Sequence, residues 1–480
     1  MSSNTKALRS SVVDGIALVP RYRERQLSAL HRALSSAKED LLDVTTTTFA
    51  FTRNEALAEY FQTLNAVKSF HAQCEPQSCN DTEYAIINSK DYADRRTPHG
   101  YAYIVPANDS LYNTIVPLAA AIAAGNIVAL QRPSRKASVA SRLESILPKA
   151  LSVETFAYVD RDPFDPKFQQ SRGVVFEGQS STSATTTTRR ICSSRGRVVA
   201  IVDRSSHVKQ AAKDLVQARF SLGGSATYAP DLVLVNEFRL KDFSEAVAEA
   251  GLRYLSRSVD SASAQNVKVR QAAGSDASFE KDGTILMSGS EGKVVLLKSR
   301  DSGLIYQKLN SAVLLLLPIS SMDDAIDLLN SEELPLSANY VYASPPAAKY
   351  ITQFVRSEVS FVNHIPADLL IGGAGPNGWQ LSVHPRYTPE MFSQPSPVLI
   401  NSTSRSEAVA SLVSLSSSRQ QKKFEKALDA TLTPIKEPFG PTIGFFEQGF
   451  LFNATLILSS IVVGTFCGIK YGYPALASAL

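Results

Sequence analysis

The sequence predicts an open α/β protein: two successive units of parallel strands with crossover helices, then a C-terminal helix of membrane-spanning length. Three observations carry this expectation. Short apolar runs such as Ile127-Val128-Ala129-Leu130 have the composition of strands buried on both faces. They alternate with stretches of helical length, the pattern that right-handed crossovers produce. Gly449 to Ile469 is uncharged and mostly apolar, close to the ~20 residues a bilayer-spanning helix needs.

Taken in order, residues 20–75 predict helices, because Leu27, Leu30, Leu34, Leu41 and Leu42 recur near helical spacing among Arg and Lys. Residues 76–96 are polar and rich in turn formers. A strand over 102–106, an Ala-rich helix to Asn126 and strands at 127–130, 155–159 and 173–176 form the first α/β unit. The Ser/Thr-rich run 180–188 is a weak helix former. The second unit follows with strand 198–202, helix 208–220, strand 232–235, helix 241–256 and buried strands at 294–297 and 313–317. Residues 401–448 are Ser-rich and then charged, and predict a linker containing some helix. The apolar run 449–469 predicts a single C-terminal anchor, with a buried or interfacial helix as the other reading. Asn453 and several Ser/Thr residues dilute its apolar character. Lys422, Lys423, Lys426 and Lys436 precede it, consistent with a cytosolic bulk under the positive-inside rule. Only Lys470 is basic after it, which favours the endoplasmic reticulum over the mitochondrial outer membrane.

Composition narrows the function classes. In 480 residues, 44% hydrophobic and 20% charged describe a folded protein with large cores. A net charge of +4 without a basic cluster gives no reason to expect nucleic acid. The four cysteines, Cys74, Cys79, Cys192 and Cys467, form neither a metal-ligand spacing nor a disulfide framework. The N-terminus lacks the apolar core of a secretory signal.

Five segments stand in a telling order. Pro106-Ala107-Asn108 precedes Ala123-Ala124-Gly125-Asn126-Ile127-Val128-Ala129-Leu130-Gln131-Arg132-Pro133-Ser134. Phe220-Ser221-Leu222-Gly223-Gly224-Ser225-Ala226-Thr227-Tyr228-Ala229-Pro230 follows, then Gly372-Gly373-Ala374-Gly375-Pro376-Asn377-Gly378 and Pro385-Arg386-Tyr387-Thr388-Pro389-Glu390-Met391-Phe392-Ser393. From about residue 20 to 400 this set resembles the aldehyde dehydrogenase superfamily, and most the class of membrane-anchored fatty aldehyde dehydrogenases. The resemblance implies a Rossmann-type cofactor domain over 1–192 with a bridging hairpin near 76–96. It also implies a catalytic-type domain over 193–400, a dimer, NAD or NADP as cofactor and a lipophilic aldehyde as substrate. It places Asn108 as the amide donor to the oxyanion. Arg132, Ser134 and Gly178 fall at cofactor-contacting positions, with Arg132 suited to an adenosine ribose or its 2′-phosphate.

The departures fall on the chemistry. The nucleophilic Cys of the family is Thr227, the general-base Glu falls on Ser193, and the Glu that clasps the nicotinamide ribose is Lys308. A threonine needs a strong adjacent base to act as a nucleophile, a serine hydroxyl is no substitute for a carboxylate base, and lysine has no acceptor atom. Glu177, in the phosphate-contacting turn Phe176-Glu177-Gly178-Gln179, adds an unfavourable charge. Cys192, Asp203 and His207 are weaker candidates for missing machinery; a core thiol, a strand-end carboxylate and a helix-start residue explain them. The expectation is a membrane-anchored, catalytically degenerate homologue. The alternatives are an active oxidoreductase of altered chemistry and a structural partner of an active homologue.

Overall fold

The computed structural model describes most of the chain. Outside the described residues lie 1–2, 50, 76–83, 134, 136–137, 163–172, 179–188, 194–195, 256–278, 280, 290–291, 332–333 and 468–480. Of 415–444 only 422, 425, 426, 429, 432, 433 and 435 are described. The chain divides into two compact units, Met1–Asn401 and Ser402–Leu480.

The first unit opens with four helices: α1 (Ser3–Asp14), α2 (Pro20–Ser36), α3 (Lys38–Phe49) and α4 (Arg53–Gln73). Pro20 sits at the first turn of α2, where its missing N–H is no loss. Thr52 and Glu55 form a reciprocal capping box at the start of α4. β1 (Arg96–Pro98) and β2 (Tyr101–Val105) lead into α5 (Leu111–Ala124), capped by the Ser110 side chain and ended by Gly125 at φ 94°. β3 (Ile127–Gln131), α6 (Val139–Ala150), β4 (Phe156–Val159), β5 (Gly173–Glu177) and β6 (Arg190–Cys192) complete a five-stranded sheet. Its order is β4-β3-β2-β5-β6, all parallel.

The second sheet begins with β7 (Val198–Val202), α7 (Val208–Phe220), β8 (Leu232–Asn236) and α8 (Leu240–Leu255). β9 (Gly283–Ser288), β10 (Lys293–Leu297), β11 (Val313–Ile319), α9 (Met322–Asn330), β12 (Ala338–Tyr342), α10 (Pro345–Phe354) and β13 (Ser360–Val362) follow. The seven strands run β13-β12-β7-β8-β11-β10-β9 and are parallel except β9. The architecture is therefore an α/β fold with Rossmann-like parallel sheets. Every residue of β7, β8 and β12 is buried, which is why these strands read as continuous apolar runs.

Two differences from expectation have physical reasons. The Ser-rich N-terminus forms α1, whose Leu8 and Val12 pack with Tyr101, Ile127 and Ala129; too few apolar residues recur there for periodicity to reveal a helix. Beyond the segment expected to form a hairpin, β1 pairs antiparallel with the return strand β14 (Ser393–Pro395), a pairing that the local sequence does not announce. Tyr92 bridges Val398 beside it, and residues 76–83 of the expected hairpin lie outside the described residues.

The second unit contains α11 (Ser404–Val413) and α12 (Phe445–Cys467). Glu447–Phe466 of α12 has a mean hydropathy of 1.8 and none of it is buried. At ~1.5 Å rise per residue its 20 residues cover about 30 Å, the thickness of a bilayer's hydrocarbon core. Among the described residues, one helix is thus long and apolar enough to cross a membrane, starting slightly before the sequence-predicted run.

Candidate active site

The loop that carries Thr227 leaves α7 between two cores. Ala226 and Ala229 belong to the core under the five-stranded sheet, while Tyr228 belongs to a face of the seven-stranded one. Leu222 holds a left-handed φ of 52°. Its N–H donates to Glu55 Oε1 at 3.0 Å, so the α4 capping residue also grips this loop. The half-buried Thr227 donates its hydroxyl to the Gly372 carbonyl at 3.3 Å. Its own carbonyl accepts from Lys308 Nζ at 2.6 Å. The Tyr228 hydroxyl accepts from Gly375 N at 2.9 Å, joining the loop to the glycine-rich return segment.

Asn108 is exposed just before α5, and its Oδ1 accepts from Ser110 N at 3.0 Å and Asn113 Nδ2 at 2.8 Å. With Oδ1 so engaged as an acceptor, the donors of this amide are those on Nδ2. Asn113 Oδ1 in turn accepts from Gly373 N at 2.6 Å. The Asn108 and Thr227 positions are therefore joined through Asn113 and the Gly372–Gly373 peptide. Gly372 sits at φ 92°, and a Cβ there would meet the Tyr112 ring at 2.6 Å. Glu59, one turn after Glu55 on α4, accepts from Tyr112 N at 3.0 Å at the start of α5. Burial raises its carboxyl above the ordinary range, against the opposing pull of the α5 backbone N–H groups.

Ser193 is buried at 1% exposure and bridges Pro376. Among the described residues its Oγ makes no well-formed hydrogen bond, although the Tyr387 hydroxyl lies alongside it. Tyr387 donates to the Ala374 carbonyl at 3.3 Å, and burial pushes its phenol up. Arg386 is fully buried and donates to the carbonyls of Ser382, Gly373 and Leu369. Its guanidinium also lies 4.7 Å over the Tyr228 ring, so carbonyl oxygens and a ring face answer its charge. Sequence reasoning did not single out Glu55, Glu59, Asn113 or Arg386. Only the Thr52-x-x-Glu55 and Ser110-x-x-Asn113 cap spacings were available as signals.

Asp231, which ends this loop, is a buried hub. Its Oδ1 accepts from Leu309 N at 3.0 Å and pairs with Arg219 at 3.5 Å. Its Oδ2 accepts from Val198 N at 2.8 Å and Lys308 Nζ at 2.9 Å. Burial lowers the Lys308 ammonium, partly offset by Asp231.

The cofactor-type positions are differently occupied. Arg132 Nε pairs with Asp160 at 3.0 Å and its Nη1 with Glu144, so two carboxylates surround one guanidinium. Gly178 supports close packing, since a Cβ would fall 2.3 Å from Ala107 N. Glu177 pairs with Arg190 at 3.2 Å and accepts from the Cys192 thiol at 3.7 Å. Burial and Glu177 push that thiol up, away from thiolate character. Ser134 lies outside the described residues. A nicotinamide dinucleotide held in the family's manner needs acceptors at 308 and a free cation at 132. Lys308 is a donor bound to Asp231 and Thr227, and Arg132 is neutralised, so these residues do not fit it.

Residues 16–159 match the aldehyde dehydrogenase family model. The 4,4′-diaponeurosporen-aldehyde dehydrogenase of Staphylococcus aureus is 22% identical over 421 residues, covering 80% of this chain and 90% of that protein. Aldehyde dehydrogenase family 3 member A2 of Pongo abelii is 20% identical over 85% of this chain and 90% of its own length. A substrate-bound structure of Staphylococcus aureus AldH superposes with a TM-score of 0.68 at 17% identity, covering 89% of this chain and all (100%) of that one. Aldehyde dehydrogenase C of Pseudomonas syringae, solved with NAD+ and octanal, superposes at 0.62 with 16% identity over 82% and 88% of the two chains. The chain thus has the aldehyde dehydrogenase fold and, over residues 16–159, matches the aldehyde dehydrogenase family model.

Proposed function

We propose that this chain is a membrane-anchored aldehyde dehydrogenase-family protein that no longer oxidises aldehydes through a thiohemiacetal, and acts as a binding or partner subunit. The observation that carries the reading is the state of Thr227 and Ser193. The Thr227 hydroxyl is a donor to the Gly372 carbonyl, and the base position holds a neutral, 1%-exposed serine. An alcohol oriented as a donor, without a carboxylate or imidazole to take its proton, is a poor nucleophile. Lys308 and Arg132, engaged with carboxylates, point the same way for the cofactor. The anchor is the 20-residue apolar span Glu447–Phe466, wholly exposed on its own unit. A bilayer covers such a surface; water does not.

The test is NAD(P)H formation by the full chain in detergent micelles with hexanal and octadecanal, beside Thr227→Cys and Thr227→Ala variants. The reading expects no turnover from the wild type or either variant, because base and ribose clasp are also absent. Wild-type turnover that Thr227→Ala abolishes would overturn it.

A further inference from the structure

The apolar helix α12 carries a side chain that a bilayer does not satisfy. At ~1.5 Å per residue, Asn453 lies about 9 Å inside the Glu447 end of the span and about 20 Å from Phe466. That depth is hydrocarbon, where an amide without a partner is costly. The hydroxyls of α12 meet the same demand within the helix. Thr455 donates to the Leu451 carbonyl at 2.7 Å, and Ser459 and Ser460 both donate to the Leu456 carbonyl at 2.8 Å. Thr465 donates to the Ile461 carbonyl at 2.7 Å. Among the described residues, the exposed Asn453 amide has no such bond.

The helix is also lopsided around Asn453. Gly449, Ser460 and Gly464 fall at helical spacings that share its face, with Ile457 the large residue among them. A Cβ added at Gly449 or Gly464 would meet nothing within 4 Å. Leu451, Leu458, Val462 and Phe466 lie on the opposite side, a bulky surface that suits acyl chains.

We propose that α12 pairs within the membrane with α12 of a second copy of this chain, the two Asn453 amides bonded to each other. The proposal rests on the reading of α12 as a membrane anchor. Two identical anchors enter the bilayer from the same side, so their Asn453 residues lie at the same depth. Each amide offers both a donor and an acceptor, so a twofold pair satisfies both helices at once. A different partner would need a polar group of its own at that depth, whereas a second copy necessarily has one. Glycine and serine on the same face let the two backbones approach, as close packing of helices in lipid requires.

The experiment places the purified full chain in phosphatidylcholine vesicles, with Cys467→Ser throughout to remove the thiol already in the helix. A new thiol is introduced on either face at nearly the same depth, as Ser460→Cys or Val462→Cys, and copper phenanthroline supplies the oxidant. Disulfide-linked dimers are read on non-reducing gels, and the Cys467→Ser parent sets the background from Cys74, Cys79 and Cys192. The expected result is dimer from Ser460→Cys and only background from Val462→Cys. Adding Asn453→Leu to Ser460→Cys should weaken pairing about fivefold, the equivalent of one interhelical hydrogen bond. Asn453→Gln, which keeps the amide, should retain it. Contact between the folded parts of two chains would bring the anchors together without choosing a face, so the face dependence isolates the helix pair. Equal cross-linking at 460 and 462, cross-linking unchanged by Asn453→Leu, or no dimer above background overturns the proposal. Carbonate extraction of the same vesicles reads the anchor separately. An extractable chain sinks the spanning reading and the pairing with it, whereas a carbonate-resistant chain without face-dependent cross-links sinks only the pairing.

Discussion

Replacing Asp231 by Asn tests whether the buried charge cluster fixes the Thr227 loop. The substitution removes a carboxylate that receives two cations and two backbone N–H groups. At the 3.5 Å separation of Arg219 and Asp231, Coulomb's law with an effective dielectric of ~20 gives about 5 kcal/mol for that pair. Desolvation offsets much of this. Removing one partner still leaves Arg219 charged at 0% exposure, a change that costs about 3–5 kcal/mol in comparable buried pairs. The amide NH2 must also face either Val198 N or Leu309 N, an opposed donor pair worth about 1–3 kcal/mol. Asp231→Asn should therefore destabilise the chain by at least about 3 kcal/mol, a large share of an ordinary domain's stability. Urea unfolding in detergent, followed by far-ultraviolet circular dichroism, reads this. A double-mutant cycle with Lys308→Met should return a coupling of about 1–3 kcal/mol. A loss below about 1 kcal/mol would refute the reasoning, because it would mean the two cations find other compensation.

Two further predictions follow from the same geometry. Glu59 has a raised carboxyl pKa in the folded state, so its favourable contribution is complete below the unfolded value near 4.5 and is lost as pH rises through the folded value. Wild-type melting temperature should fall across that window, while Glu59→Gln, which keeps an acceptor for Tyr112 N, should stay flat and match wild type at the acid end. Parallel slopes in the two proteins would show that Glu59 does not titrate there. In the apolar helix, Leu456→Arg places a charge near the middle of the span, which costs about 3 kcal/mol in membrane insertion. The variant should move from the carbonate-resistant membrane fraction to the soluble one, and an unchanged distribution would argue against a spanning helix.

The sequence was most readable where burial is two-sided. Val198–Val202, Leu232–Asn236 and Ala338–Tyr342 are buried at every residue, so their strands announce themselves as apolar runs. Pairing between Arg96–Pro98 and Ser393–Pro395 leaves no local trace, because the two segments meet only in the folded chain. The site divides the same way. Asn108 and Thr227 stand in motifs with fixed spacing, whereas Glu59 on α4 reads as one more solvent-facing charge. Only packing shows it at 3% exposure against Tyr112 N. Asp231 directly follows the loop motif in sequence, but its four partners come from three separate segments. Lys308 was legible as a missing acceptor and illegible as an amine held between Thr227 and Asp231.

The shape of the candidate site rests largely on contacts outside residues 193, 227 and 308. The loops are fixed by groups that take no part in thiol chemistry. Glu55 holds Leu222, Glu59 holds Tyr112, Asn113 joins Asn108 to Gly373, and Arg386 holds Gly373 and Leu369. None of these contacts uses the side chain at 193, so a serine there leaves the scaffold unchanged. The Thr227 hydroxyl supplies one hydrogen bond to Gly372, a contact a thiol makes more weakly. Thr227 thus ties its loop to the return segment. Lys308 acts in the same direction, its Nζ donating to the loop's own carbonyl. On the proposed reading, the residues at 227 and 308 are both turned inward, onto the protein.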